Sequence, residues 1–291
     1  MRIDFLRLRP LAALAAGAAL TGGLAAFADQ ALAGTGQPSE WQMGLQTPVT
    51  EVAQYIGWFH NGLLWLIGAV VAFVLALLVY VMVRFNEKTN PTPSKTTHNS
   101  LIEVIWTVVP VLILVVIAVP SFRLLKLQLV PPKADVTIKA TGHSWYWSYD
   151  YPQDQGGGFA FDANMVPEGQ LKPGQPRLLA TDNEVVLPVN KVVKVQVTSA
   201  DVIHAFAVPS FGIKVDAVPG RLNETWFKAE REGIYYGQCS ELCGQNHAFM
   251  PIAIRIVSEQ QYAAWLEEAK KKFAANETSP VQVAARAALA D

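Results

Sequence analysis

The polarity of the chain changes character twice after its first fifty residues. From Val52 to Val83 there is no Asp, Glu, Lys or Arg, a run of 32 residues, whereas about 20 apolar residues suffice to cross a bilayer as a helix. A second uncharged run of 19 residues covers Val104–Phe122, with Glu103 just before it and Arg123 just after. The two runs predict membrane-spanning helices at about 60–83 and 104–123. Between them Arg84, Lys88 and Lys95 stand against Glu87, and Asn90, Pro91 and Pro93 break the helix. Basic loops stay on the cytoplasmic side, so both ends of this hairpin are expected outside. Two spans make an anchor and not a pore.

After Pro131 and Pro132 the period falls to two. Val136, Ile138 and Ala140 alternate with Thr137 and Lys139, Val193, Val195 and Val197 with Lys194, Gln196 and Thr198, and Ile252, Ile254 and Ile256 repeat the pattern. Such runs, broken by Gly and Pro, predict a β-sandwich or barrel. Glu259–Phe273 reads as a short helix with Tyr262, Trp265, Leu266 and Ala269 on one face, followed by a loose Ala-rich tail. At the other end, Arg2, Arg7 and Arg9 precede an Ala/Leu/Gly run and Ala31-Leu32-Ala33. That order predicts a secretory signal cleaved at or near Ala33, or alternatively at Ala28. The expected organisation is a signal at 1–33, the hairpin at 34–130, an exported β-domain at 131–258, and the helix and flexible tail at 259–291.

Composition agrees with an anchored, exported chain. Hydrophobic residues are 51% and charged residues 16%, too apolar for an ordinary soluble protein. Residues 135–257 carry 13 acidic and 10 basic side chains, a mild negative balance, and no nucleic-acid partner is expected.

The chemistry is concentrated in Cys239–Met250, which reads Cys-x3-Cys-x3-His-x2-Met and holds both cysteines of the protein; His204 lies upstream. Two thiolates, two imidazoles and a thioether form a soft donor set suited to copper. A mononuclear blue-copper site uses one Cys, one Met and two His, so a second thiolate argues for two coppers bridged by two sulfurs. A disulfide and a Cys/His zinc site compete for the same residues. Neither gives Met250 a role or explains a histidine in the apolar run around His204. A loop carrying Cys, His and Met between two late strands, with a His from an earlier one, is a cupredoxin arrangement, and the β-domain is expected to be an antiparallel cupredoxin-like barrel.

This stretch resembles the dinuclear CuA loop of subunit 2 of the cytochrome c oxidases, the haem–copper respiratory oxidases, and the resemblance covers roughly residues 50–265. It implies Cys239 and Cys243 as bridging thiolates, His204 and His247 as terminal imidazoles, Met250 as the weak sulfur ligand of one copper and the Glu241 carbonyl as ligand of the other. It also implies that the Glu241 side chain reaches a magnesium ion shared with subunit 1. Glu103, in a run similar to the start of the family's second helix, matches a glutamate at the mouth of a proton-uptake path into subunit 1; on its own it reads equally as a snorkelling carboxylate. Trp145 opens the aromatic run Trp145–Tyr151 and matches the exposed tryptophan that takes electrons from cytochrome c, where aromatics in a strand otherwise mean packing. His143 and Ser144 depart from the commonest family form, which has Gln beside that tryptophan, and His143 is read as a satisfied or exposed side chain.

Asp150, Asp182 and Asp201 match acidic positions that help dock cytochrome c, and acidic patches steer basic partners. Asp216 and Arg221 match a segment at the subunit boundary. Phe206, Phe249 and Leu242 are expected to keep water from the coppers. The implied partners are subunit 1, the other oxidase subunits, cytochrome c and membrane lipid. The implied place is a bacterial inner membrane, with the copper domain and both mature termini in the periplasm. The implied function is electron acceptance at the copper pair and delivery to haem in the catalytic subunit, for oxygen reduction to water with proton translocation. The alternative is a membrane-anchored copper-binding or delivery protein, which needs neither Trp145 nor Glu103. A quinol-oxidase relative lacks the ligands, and nitrous oxide reductase carries a second, His-rich copper domain where only five histidines occur here. There is no Cys-x-x-Cys-His, hence no fused c-type haem.

Overall fold

The computed structural model describes residues 36–273, so the expected secretory segment and the end of the tail lie outside the described residues. The described residues divide into a helical unit, Gln54–Val130, and a unit formed by the rest of them.

Helix α1 runs Glu51–Arg84 and helix α2 Ser100–Leu129, and both are long and apolar enough to cross a membrane. Each extends past the uncharged run that announced it. Helical geometry continues until a local signal stops it, and α1 takes Glu51 into its first turn and Arg84 into its last, charges that complement the helix dipole. The start of α2 is capped in both directions. The Asn99 side chain accepts the Ile102 N–H at 3.2 Å, and the Glu103 carboxylate accepts the Asn99 N–H at 3.1 Å. At the other end of the hairpin the Tyr55 hydroxyl donates to the Pro120 carbonyl at 3.4 Å, and the Arg123 guanidinium lies 5.7 Å from the Tyr55 ring centroid.

Among the described residues the β-unit holds ten strands: β1 Val136–His143, β2 Tyr146–Tyr151, β3 Phe159–Ala163, β4 Val185–Pro188, β5 Val193–Ser199, β6 His204–Val208, β7 Ile213–Ala217, β8 Asn223–Phe227, β9 Gly233–Gln238 and β10 Pro251–Val257. They form a five-stranded sheet ordered β3-β2-β1-β5-β8, a three-stranded sheet β4-β10-β9 and the pair β6-β7. The alternating residues point as their period requires: Ile138, Ala140, Val193, Val195 and Val197 are buried, with Trp147, Tyr149 and Tyr151 beside them. The cupredoxin-like β-domain is present, with two differences from the expected antiparallel barrel. Strands β1 and β5 pair in parallel, as do β10 and β4. The strands also wrap one core as three sheets and not as one closed ladder. The physical reason is the length of chain between β2 and β5, which lets β5 return to the free edge of β1 in the same direction. Strand β10 lies between two neighbours and buries Ala253 as well as Ile252, Ile254 and Ile256, so its alternation marks only one of its two covered faces.

The segment before α1 is fastened to this core. Val49 is buried, its N–H donates to the Ser210 carbonyl at 3.1 Å and its carbonyl accepts from Glu230 at 2.9 Å. Helix α3, Glu259–Phe273, packs on the outer end of the core. Trp265 sits 5.2 Å from the Tyr151 ring and 5.7 Å from Phe159, and Phe273 sits 4.8 Å from Phe161. Because Trp265 is only partly buried, Trp265→Ala is expected to cost about 2–3 kcal/mol, somewhat below the range for a fully buried aromatic. A thermal unfolding curve checks this, and an unchanged midpoint would show that α3 contributes nothing to the core.

Candidate metal centre

The loop between β9 and β10 is folded by its own backbone. The His247 N–H donates to the Gly244 carbonyl at 3.2 Å and the Phe249 N–H to the Asn246 carbonyl at 2.9 Å. This tight turn brings His247 and Met250 back towards Cys243. The Ser240 N–H donates to the Ala205 carbonyl at 3.2 Å, which ties the start of the loop to β6 beside His204.

The donors fall into two halves around a pair of free thiols 3.8 Å apart. On one side the Cys239 Sγ lies 3.9 Å from His204 Nδ1 and 3.3 Å from the Glu241 carbonyl. On the other the Cys243 Sγ lies 3.5 Å from His247 Nδ1 and 3.6 Å from Met250 Sδ. The His204, Cys239 and Cys243 donor atoms all lie within 4.8 Å of one another, and all three residues are buried. All six donors named from the sequence are therefore in one place. Two thiols, two imidazoles, a thioether and a carbonyl, apportioned equally between two sulfurs, fit soft cations. Burial and the adjacent Cys239 push the Cys243 thiol up to about 12; a cation at the site would reverse that preference, since a coordinating thiol is deprotonated.

Two aromatic N–H groups and one carboxylate frame these donors. Trp145, at the β1–β2 turn, is half-buried and donates its indole N–H to the Cys243 carbonyl at 3.2 Å. Trp147 is buried, donates to the Met250 carbonyl at 3.3 Å and sets its ring edge-on to His204 with centroids 6.2 Å apart. Asp201 Oδ1 lies 2.8 Å from His204 Nε2, so the fully buried ring turns Nδ1 towards Cys239. Asp201 also accepts the N–H groups of Val202 at 2.6 Å and Ser144 at 2.7 Å. Burial works to raise its pKa, but these bonds win, and its carboxyl is held well below the usual carboxylate range.

The sequence did not single out Trp147, the Asp201–His204 bond or Gly142. A Cβ at Gly142 would come within 2.9 Å of the His204 ring, so glycine there lets the imidazole pack against β1. The one available hint was an acidic residue three positions before a ligand histidine.

The remaining candidates are placed as follows. Asp150 faces outward on β2 opposite Lys139, and burial raises its pKa while Lys139 opposes. Asp182 accepts the N–H groups of Asn164 at 2.8 Å and Asn183 at 2.7 Å. The Glu241 carboxylate lies 3.7 Å from Lys214 Nζ, which is equally far from Asp216. His143 is no ligand here: its Nε2 lies 3.0 Å from the Ser148 hydroxyl, and its ring stacks on Tyr146. Phe206 is buried as expected, but Leu242 is 80% and Phe249 43% exposed, so they do not seal the site within this chain. They sit in a loop whose donors turn inward, which leaves these apolar side chains facing out.

The helical part and the β-domain match two family descriptions in chain order. Residues 38–124 match the transmembrane domain of cytochrome c oxidase subunit II, and residues 136–257 match its periplasmic domain. The chain belongs to the cytochrome c oxidase subunit 2 family. It is 52% identical to a probable cytochrome c oxidase subunit 2 of Rickettsia bellii, over 82% of this chain and 88% of that one. It is 47% identical to cytochrome c oxidase subunit 2 of Cereibacter sphaeroides, over 84% and 86% respectively. Among solved structures, it is 64% identical to the periplasmic domain of subunit II of cytochrome oxidase of Bradyrhizobium japonicum. That match covers 50% of this chain and 99% of that one, with a TM-score of 0.46. The match to the transmembrane domain of that family agrees with the two helices long and apolar enough to cross a membrane among the described residues.

Proposed function

We propose that this chain is the electron-accepting subunit of a cytochrome c oxidase, with a dinuclear copper centre held by His204, Cys239, Glu241, Cys243, His247 and Met250. The observation that carries the reading is the even division of donors, one imidazole and one weaker donor to each of two neighbouring thiols. A single zinc ion uses four ligands and leaves Met250 and the Glu241 carbonyl idle. When bound, the copper pair supplies reversible one-electron storage.

The chain's own residues do the rest. The loop that carries Cys239 and Cys243 is tied by the backbone hydrogen bonds of Ser240, His247 and Phe249, so the donor positions need little rearrangement. Asp201 fixes the His204 ring and its tautomer, as carboxylates commonly do for metal-bound histidine. Trp145 receives the electron from cytochrome c at the surface. Asp150 and Asp182 supply negative charge to dock that basic partner; Asp201 is committed to His204 and is assigned to orientation. The Glu241 carboxylate holds a magnesium ion at the border with subunit 1, where Lys214 is its nearest cation. Glu103 stands at the mouth of a proton-uptake path, and its carboxylate orders the start of α2.

Electrons leave for haem in the catalytic subunit, where oxygen is reduced to water with proton translocation. The basic 84–95 connector lies in the cytoplasm. The β-domain and both mature termini lie in the periplasm after cleavage near Ala33.

The deciding measurement is copper stoichiometry with an electron paramagnetic resonance spectrum on the purified full chain. Two coppers per chain and a seven-line pattern, from one electron shared equally by two nuclei, is the expected result. One copper with four lines, or bound zinc, would sink the reading in favour of a mononuclear metal-binding role.

A further inference from the structure

Gly244 follows Cys243 in the loop, lies on the surface and has φ +124°, a conformation that L side chains rarely adopt. A Cβ built there would lie 2.8 Å from Cζ2 of Trp145, 3.4 Å from its Cε2 and 3.5 Å from its Nε1. Its three nearest heavy atoms, chain neighbours aside, all belong to that one ring. The edge that a side chain would strike is the edge that carries the hydrogen bond, since the same indole nitrogen donates to the Cys243 carbonyl at 3.2 Å. Trp145 reaches this place from the β1–β2 turn, 98 residues away in sequence. An indole is rigid, so it cannot yield at its tip as a lysine or methionine would. A side chain at position 244 must therefore push the ring and the loop backbone apart.

We infer that Gly244 is a positioning residue for electron transfer into the site: by lacking a side chain it lets the Trp145 indole rest on the Cys243–Gly244 backbone and hydrogen-bond the Cys243 carbonyl. This rests on the electron-accepting reading above. The route it creates runs from the indole ring through Nε1–H to the Cys243 carbonyl, and on through that residue's Cα and Cβ to its Sγ. One electron leaves the reduced haem of cytochrome c, which is oxidised by one unit, and the copper pair is reduced by one. No bond forms or breaks, and the indole keeps its proton. Tunnelling is faster through bonds than across a gap, so what Gly244 supplies is the absence of a gap.

The test uses the whole oxidase carrying Gly244→Ala, Trp145→Phe or both in this subunit. With reduced cytochrome c as donor, stopped-flow reduction of the copper centre is expected to slow by roughly ten- to a hundredfold in Gly244→Ala, the upper figure being the scale on which misplacement by about 1 Å acts. The paramagnetic resonance spectrum and reduction by ascorbate should not change. Trp145→Phe keeps a ring but has no N–H and should slow the same step, and the double variant should be no slower than the slower single one, because the two residues act as a unit. In the copper-free full chain the indole N–H resonance of Trp145, identified by its loss in Trp145→Phe, should exchange with solvent at least about tenfold faster in Gly244→Ala, as expected when a hydrogen bond opens.

A normal rate from cytochrome c in Gly244→Ala, additive losses in the double variant, or unchanged indole exchange would overturn the inference. Should Gly244→Ala fail to take up copper, Trp145→Phe decides: a normal rate overturns the hydrogen-bonded route and a slowed one supports it. Failure of the underlying reading looks different, because the unsubstituted protein would then take no electrons from cytochrome c.

Discussion

Replacing Cys243 by serine is expected to abolish the paired-copper spectrum and electron uptake together. Cys243 is the hub of the site, since its sulfur has three donor neighbours: the Cys239 Sγ at 3.8 Å, His247 Nδ1 at 3.5 Å and Met250 Sδ at 3.6 Å. Serine is nearly the same shape but offers a hydroxyl, which stays protonated near neutral pH and is a hard donor where a soft one is needed. Without the second bridge the two halves have nothing to share. Copper content should fall from two to one or none per chain, any remaining spectrum should show four lines, and turnover with cytochrome c should drop by more than the roughly 10–100-fold typical of changes outside the ligand shell. Unfolding of the copper-free chain separates this from misfolding. Ser for Cys at the loop should shift stability by no more than about 1 kcal/mol. A variant that kept two coppers and a shared electron would refute the bridging role of Cys243.

Asp201→Ala should weaken copper binding by about 10–100-fold although residue 201 supplies no ligand atom. The carboxylate bonds His204 Nε2 at 2.8 Å, and that ring is fully buried. Removing the acceptor leaves a buried imidazole N–H unpaired, at a cost of about 1–3 kcal/mol, and frees the ring to present the wrong nitrogen to Cys239. Asp201→Asn keeps one oxygen near the ring and should lose less. Competition with a copper chelator measures the affinity, and a melt of the copper-free chain measures the structural part. The outcome also separates two assignments of this residue. A docking residue would leave copper affinity untouched and slow association with cytochrome c in a salt-dependent way.

What was legible from residue order alone has a common physical basis, which is that each part is local. A bilayer demands about 20 uncharged residues in a row, and Val52–Val83 and Val104–Phe122 declare themselves without reference to anything else. Strand faces follow from a period of two, so Val136, Ile138 and Ala140, and likewise Val193, Val195 and Val197, were set on one face of a strand before any strand was paired. The donor types in Cys239–Met250 sit within one loop, and their chemistry names a soft metal.

Tertiary structure decided what depends on which strand lies beside which, because side-chain period reveals a face and not a neighbour. That is why the parallel pairing of β1 with β5 and of β10 with β4 was missed. It is also why His204 could be chosen by type but not shown to lie 3.9 Å from a thiol 35 residues away. Asp201 was read for its charge alone, because the buried ring it also bonds is one that only the fold brings within reach. Leu242 and Phe249 were read as shielding because they are apolar, yet the inward turn of the donors leaves them outside. Gly142 and Gly244 carry no chemistry of their own, and their meaning appears only once the His204 and Trp145 rings occupy the space a side chain would have filled.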